Sequence, residues 1–394
     1  MINNFKLYNG DCLQLLNNIE NESIQCCITS PPYFGLRSYL DKENINKNLE
    51  IGSENNYEEY IQKLTEIFII IKNKLKKNGT LWINIGDSYE KYKKEIHKKD
   101  NFNKIKPKDL MGIPWKLATS LSEPYYNGKI KNESDRIWIA TIIDLIGNIN
   151  FENLNISIET KDENILNKAN QLIYNDIMFL QEIFPYLISK KKEIKKFFND
   201  IDIPLCYDQG YYLRQDIIWA KSYSGNITGG ATMPEKVMDR CTKSHEYLFL
   251  FSKNQKYYFD YKSIQEDAAE STIERDKYKR TIKKDLIDNK RNNICNKYGE
   301  YRNSNGKRNR RSVWILSKSN YSGNHFATMP EKMVETCILA GSKIGDTILD
   351  PFSGIGTTGK VALKLNRNYI GIELNEEYYK KSEIELKKSN INLF

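Results

Sequence analysis

At 394 residues, 40% hydrophobic and 12% aromatic, the chain is long enough for one large domain or two and can bury a sizeable core. Its net charge of +9 is unevenly placed: from Arg275 to Arg311 fourteen Lys/Arg stand against four Asp/Glu, a surplus larger than that of the whole protein. No signal peptide and no run of eighteen apolar residues appears, so no membrane partner is expected. The seven scattered cysteines, without a CxxC pair and with only three histidines, exclude a zinc site. The expectation is a soluble, cytoplasmic protein with no metal, its thiols buried and free in a reducing compartment.

In chain order, Phe5 to Tyr8 reads as a strand entering Gly10-Asp11, Cys12 to Ile19 as a helix, and Ile24 to Ile28 as a short buried strand. That last strand runs into Thr29-Ser30-Pro31-Pro32-Tyr33. Two consecutive prolines remove two backbone donors and fix φ, so the strand must stop with its last carbonyls pointing outward and unpaired. Beside them stand a small hydroxyl, Ser30, and an aromatic face, Tyr33. A flat ring carrying an exocyclic amino group would suit this place, stacked on Tyr33 while Ser30 and the Pro31 carbonyl accept its two N–H bonds. Taken alone, a strand followed by a proline turn explains the same residues equally well.

Phe34 to Glu50 is polar and charged, expected as a mobile loop, and Tyr57 to Leu75 has apolar residues at helical spacing. Gly79 ends that unit before the buried strand Thr80 to Ile85. A lysine-rich loop, Lys91 to Lys108, then precedes a helix from Asp109 to Leu121. Tyr212 to Ala220, Tyr247 to Ser252, Thr347 to Leu349 and Tyr369 to Ile372 complete seven apolar strands. Several are separated by helices, which predicts a mostly parallel α/β sheet. The repeated hexapeptides Ala231–Lys236 and Ala327–Lys332 (Ala-Thr-Met-Pro-Glu-Lys) each read as a capping box with proline in the first turn, so each should open a helix.

After the strand ending at Leu349 comes Asp350-Pro351-Phe352-Ser353-Gly354-Ile355-Gly356-Thr357-Thr358, leading into a helix from Gly359 to Leu365. A strand, a glycine loop and a helix N-terminus together bind the charged end of a small molecule. Gly354 and Gly356 let the backbone approach closely, and Thr357 and Thr358 are set to hydrogen-bond a carboxylate at the positive helix end. Glu373 closes the next strand, where a carboxylate chelates the two ribose hydroxyls of a nucleoside cofactor.

These residues resemble the β-class amino (N4-cytosine/N6-adenine) DNA methyltransferases, in which an (S/D)PPY motif comes first and the S-adenosylmethionine loop DPFxGxGTT lies near the C-terminus. Thr29–Tyr33 and Asp350–Thr358 match in that order, and the likeness covers roughly 1–121 and 209–390. It implies a Rossmann-like class I methyltransferase fold, seven-stranded and with permuted motif order. It makes Ser30, Pro31, Pro32 and Tyr33 catalytic. Asp350, Phe352, Gly354, Gly356, Thr357, Thr358 and Glu373 become cofactor ligands, with Asp11 on the adenine and His325 to Lys332 closing over the methionine. The target base would be flipped out of double-stranded DNA onto Tyr33. Serine at the first motif position favours N4 of cytosine over N6 of adenine, and the absence of any Pro-Cys pair disfavours C5 chemistry. The basic stretch falls where such enzymes place target recognition. A cognate restriction endonuclease and a homodimer are the further partners implied.

Between the two halves lies an intrusion, Ser122 to Asp208, net acidic with ten Lys/Arg against fourteen Asp/Glu. Trp138 to Gly147 is similar to the LAGLIDADG helix of homing endonucleases, but the metal-binding acid falls at Ile146, which cannot hold a cation. The expected organisation is therefore a methyltransferase core in 1–121, 209–262 and 316–394, a degenerate LAGLIDADG-like α+β module in 122–208, and a basic target-recognition region in 263–315. A DNA-binding protein without catalysis is the competing reading, opposed by the intact Ser30 and glycine loop.

Overall fold

The computed structural model describes residues 4–35, 38–41, 43–89, 106, 108–122, 125–126, 207–208, 210–222, 237–277, 306–317 and 329–391. Eight strands form one sheet: β1 (Phe5–Asn9), β2 (Ile24–Thr29), β3 (Leu75–Ile85), β4 (Tyr212–Ser222), β5 (His245–Ser252), β6 (Val313–Ser317), β7 (Thr347–Asp350) and β8 (Asn368–Glu373). Their order is β1-β8-β7-β2-β3-β5-β4-β6, parallel throughout except that β5 runs against both neighbours. The α/β class and the mostly parallel Rossmann-like sheet expected from the sequence are what the structure has. The eighth strand, β6, pairs in parallel with β4. Its residues lie just beyond the basic stretch, and only five of them, both ends exposed, leave little periodicity to read.

Burial on both faces explains why the central strands are continuous apolar runs. Cys27, Leu81, Phe249 and Leu349 point to a layer made by α1 (Cys12–Leu15), α2 (Tyr57–Lys74) and α3 (Ile113–Ser122). Their strand neighbours Cys26, Trp82, Leu248 and Ile348 point the other way, onto α4 (Glu331–Gly341), α5 (Thr357–Lys364) and α6 (Glu376–Ile391). Asn56 accepts from the Glu59 N–H at 2.8 Å and so caps α2. Helix α4 begins where the second hexapeptide predicts, although its N-cap is Pro330. The first hexapeptide lies outside the described residues. Cys12, Cys26, Cys27 and Cys337 are buried free thiols and Cys241 is exposed.

From β2 the chain crosses through α2 to β3 on one side, and from β7 through α5 to β8 on the other. β2 and β7 are neighbours, so the two excursions diverge and leave a crevice beyond their carboxyl ends, where ligands of such sheets bind. The β2 end carries Thr29 and Ser30, and the β7 end carries Asp350.

The segments on either side of residues 127–206 lie together. Tyr125–Tyr126 pairs antiparallel with Tyr207–Asp208, and the Tyr211 N–H donates to the Leu121 carbonyl at 2.7 Å. The LAGLIDADG-like segments themselves, like most of the basic stretch, lie outside the described residues. At the described end of that stretch, Lys307 pairs with Asp267, and Arg308 and Arg311 share Glu266 at 3.0 and 2.8 Å.

Candidate active site

The proline pair and the glycine loop, more than three hundred residues apart in sequence, meet through a buried hydrogen bond. Thr29 Oγ1 donates to Asp350 Oδ1 at 2.6 Å, and the Phe352 N–H donates to the same oxygen at 3.1 Å. Asp350 is 2% exposed. Burial pushes its carboxyl up to about 6, against the hydroxyls of Thr29 and Thr358 and the Phe352 N–H, which favour the anion.

Between the two segments lies a cavity of about 320 Å³. One wall is the proline turn with Ser30 and Pro32; the other is Asp350, Phe352, Gly354, Thr357, Thr358 and Glu373, with Asp11 beside them. Glu373 accepts from the Gly354 N–H at 2.7 Å on one oxygen and from the Asn375 N–H at 2.8 Å on the other. These bonds aim the carboxylate into the cavity, yet burial still raises its pKa to about 7. Asp11 Oδ1 caps α1 by accepting from the Leu13 N–H at 3.1 Å. Gly356, at φ 84°, is the N-cap of α5 and lies outside the lining; a Cβ there would run into the Ser382 hydroxyl of α6. It serves the close approach of two helices rather than facing the cavity.

Pro31 is buried, and neither it nor Tyr33 is among the lining residues. The Tyr33 hydroxyl donates to Glu246 Oε2 at 2.6 Å, while its ring lies against Gly86, where an added Cβ would stand 2.7 Å from Cε2. The Pro32 carbonyl accepts from the Tyr60 hydroxyl at 2.7 Å. Hydrogen bonds to α2 and β5 therefore hold the turn from both sides.

Several lining residues escape a reading of the sequence. In the segment expected as a mobile loop, the Glu50 carboxylate, 3% exposed, accepts from the Leu40 N–H at 3.1 Å, from the Tyr39 N–H and from Lys47. This fastens Tyr39 and Leu40 as a wall of the cavity. Asn375 Nδ2 donates to the Tyr39 carbonyl at 2.6 Å, and Tyr378 meets the Tyr39 ring edge to face. Asn375 was findable from its N-cap pattern ahead of Glu376 and Glu377, since Oδ1 accepts from the N–H groups of Glu377 and Tyr378. Nothing local marks Tyr39 or Glu50, because their place depends on each other.

Of the segment His325 to Lys332, Met329 lines the cavity, and residues 325–328 lie outside the described ones. The cavity is the size of a small-ligand pocket. It offers a buried carboxylate suited to hydroxyl donors, a helix N-terminus suited to an anion, and an apolar side at Phe352 and Ile372. No described helix is long and apolar enough to cross a membrane.

A family described as DNA methylase matches residues 24–384 of this chain. The type II methyltransferase M.SmaI of Serratia marcescens is 31% identical over 386 residues, covering 95% of this chain and 87% of that protein. The type II methyltransferase M.Cfr9I of Citrobacter freundii is 30% identical over 390 residues, covering 96% and 86%. Among solved structures, the cytosine-N4-specific PvuII DNA methyltransferase aligns with a TM-score of 0.49 at 15% identity, covering 99% of this chain and 92% of that one.

Proposed function

This chain belongs to the DNA methylase family, and we propose that it is a site-specific DNA methyltransferase that moves a methyl group from S-adenosylmethionine to the exocyclic amino group of an everted base, N4 of cytosine in preference to N6 of adenine. The observation that carries this reading is the Thr29–Asp350 hydrogen bond, because it makes the proline turn and the glycine loop two walls of one cavity.

The residues fit the donor. Glu373 would take the ribose hydroxyls, Asp11 the adenine, Phe352 the apolar edge, and the α5 N-terminus with Thr357 and Thr358 the carboxylate. When bound, S-adenosylmethionine supplies an electrophilic methyl group. The chain's own part is to present the acceptor nitrogen. Ser30 accepts one N–H of the amino group, and the Pro31 carbonyl accepts the other, the Pro32 carbonyl being engaged by Tyr60. Two acceptors in those directions pull the amino hydrogens out of the plane of the ring, so the lone pair leaves conjugation and faces the cofactor side. Tyr33 supplies the stacking surface, and alignment of this kind is worth about 7–11 kcal/mol when complete. The amino group becomes acidic only after transfer, so no strong base is needed.

Phosphate contact by the basic segment 275–311 would hold the duplex, with few residues reading base edges. The type II designation of the relatives supports a cognate restriction endonuclease, and a homodimer is tested by sedimentation velocity. Single-molecule sequencing of DNA from a host expressing the protein tests base and context together. We expect N4-methylcytosine in one short recurrent sequence. Methylated adenine would overturn the base assignment, and undiminished modification by Ser30→Ala would overturn the role of that hydroxyl.

A further inference from the structure

Strand β5 is an apolar run from Tyr247 onward, yet it starts with His245-Glu246. Because β5 is antiparallel, its first residues come to the edge where β3 ends at Ile85 and Gly86 follows. Glu246 stands there opposite Trp219 of β4, its side chain 13% exposed. One of its oxygens takes Lys221, also mostly buried at 19% side-chain exposure. The other takes the Tyr33 hydroxyl at 2.6 Å.

Tyr33 is thus boxed by three elements. The β3 tip supplies a residue with no side chain, so the ring can lie against backbone; β5 supplies the acceptor; β4 supplies the cation that holds the acceptor in place. The simplest account of Glu246 is a partner for Lys221 that closes the sheet edge. That account leaves the second oxygen unexplained, since Lys221 needs only one. Nor does it explain why a tyrosine, rather than a phenylalanine, has its hydroxyl bonded to a carboxylate at a turn meant to carry a flat ligand.

We propose that Glu246 is a positioning residue for methyl transfer, fixing the angle of the Tyr33 ring, and through it the base acceptor turn, by a Lys221–Glu246–Tyr33 hydrogen-bonded chain. This rests on the function proposed above. Burial and Glu246 push the pKa of the Tyr33 phenol well up, so the phenol stays a donor to that carboxylate. A carboxylate acceptor is about twice as strong as a neutral one, which suits a ring that must not tilt.

The test compares the full-length protein with Glu246→Ala, Glu246→Gln, Tyr33→Phe and the double variant Tyr33→Phe/Glu246→Ala. The assay is tritium transfer from labelled S-adenosylmethionine to genomic DNA of a host lacking the modification. Calorimetry reads cofactor affinity separately. We expect Glu246→Ala and Tyr33→Phe each to lower kcat about ten- to a hundredfold, with cofactor affinity within about twofold of the parent. The double variant should lose no more than the worse single one, because both break the same bond. Glu246→Gln should recover most of the loss, since its amide oxygen still accepts the phenol. Multiplying losses in the double variant, a Gln no better than the Ala, unchanged kcat in Glu246→Ala, or a loss confined to cofactor affinity would each overturn the assignment. If Glu246→Ala shows no cooperative thermal transition, the pair Tyr33→Phe and Glu246→Gln decides alone: the first must fall and the second hold. A parent protein that binds the cofactor but labels no DNA sinks the functional reading and this inference with it, an outcome distinct from any pattern among variants of an active parent.

Discussion

Glu373 carries a burial cost that the ribose hydroxyls proposed for it would relieve. Its carboxyl is raised from 4.5 to about 7, chiefly by burial, although the Asn375 and Gly354 N–H groups favour the anion. Between those values the folded protein keeps a proton that the unfolded chain has lost. The stability of the ligand-free protein therefore declines as pH rises through that window, with Asp350 acting in the same sense from 3.8 to about 6. Hydroxyl donors stabilise the ionised form, so the affinity for S-adenosylmethionine should rise over the same interval and level off above about pH 7. Calorimetric titrations from about pH 6 to about pH 8 check this, with Glu373→Gln expected to flatten and weaken the profile; a flat parent profile contradicts it. Thr29→Val removes one donor to a carboxylate that stays buried. It should cost about 1–3 kcal/mol in urea unfolding and raise the Asp350 pKa further.

Among the elements, the tip of β3 is exacting. It ends at Ile85, and Gly86 is where the chain passes the Tyr33 ring with no room for a side chain. Gly86→Ala would place a Cβ 2.7 Å from the ring, so the ring must tilt. The expected result is a kcat about tenfold or more below the parent, with cofactor affinity retained, measured in the same tritium assay. Strand ends and helix starts were legible where local chemistry forces them: two prolines stop β2, and glycines introduce α5. The wall at Tyr39, Leu40 and Glu50 was not, since apart from Lys47 the bonds of Glu50 reach residues ten or more positions away that carry no periodic signal.

At the scale of the whole molecule, residues 127–206 are flanked by two short antiparallel segments that lie side by side. Tyr126 faces Tyr207 in that pairing, so an Asn-Gly turn joining them should replace residues 127–206 without disturbing the sheet. We expect the shortened chain to unfold cooperatively and bind S-adenosylmethionine within about threefold of the parent, as judged by thermal melting and calorimetry. Loss of the cooperative transition would make 127–206 part of the core. The sequence alone determined the sheet's strands save β6, the α/β class and the likeness to a family, because these follow from residue types at short spacing. Only the tertiary structure decided that Thr29 meets Asp350, that Tyr39 and Asn375 wall the cavity, and that Glu246 holds Tyr33. Each of those contacts joins segments that no local pattern relates, and they arise from the order in which eight strands pack beneath the crevice.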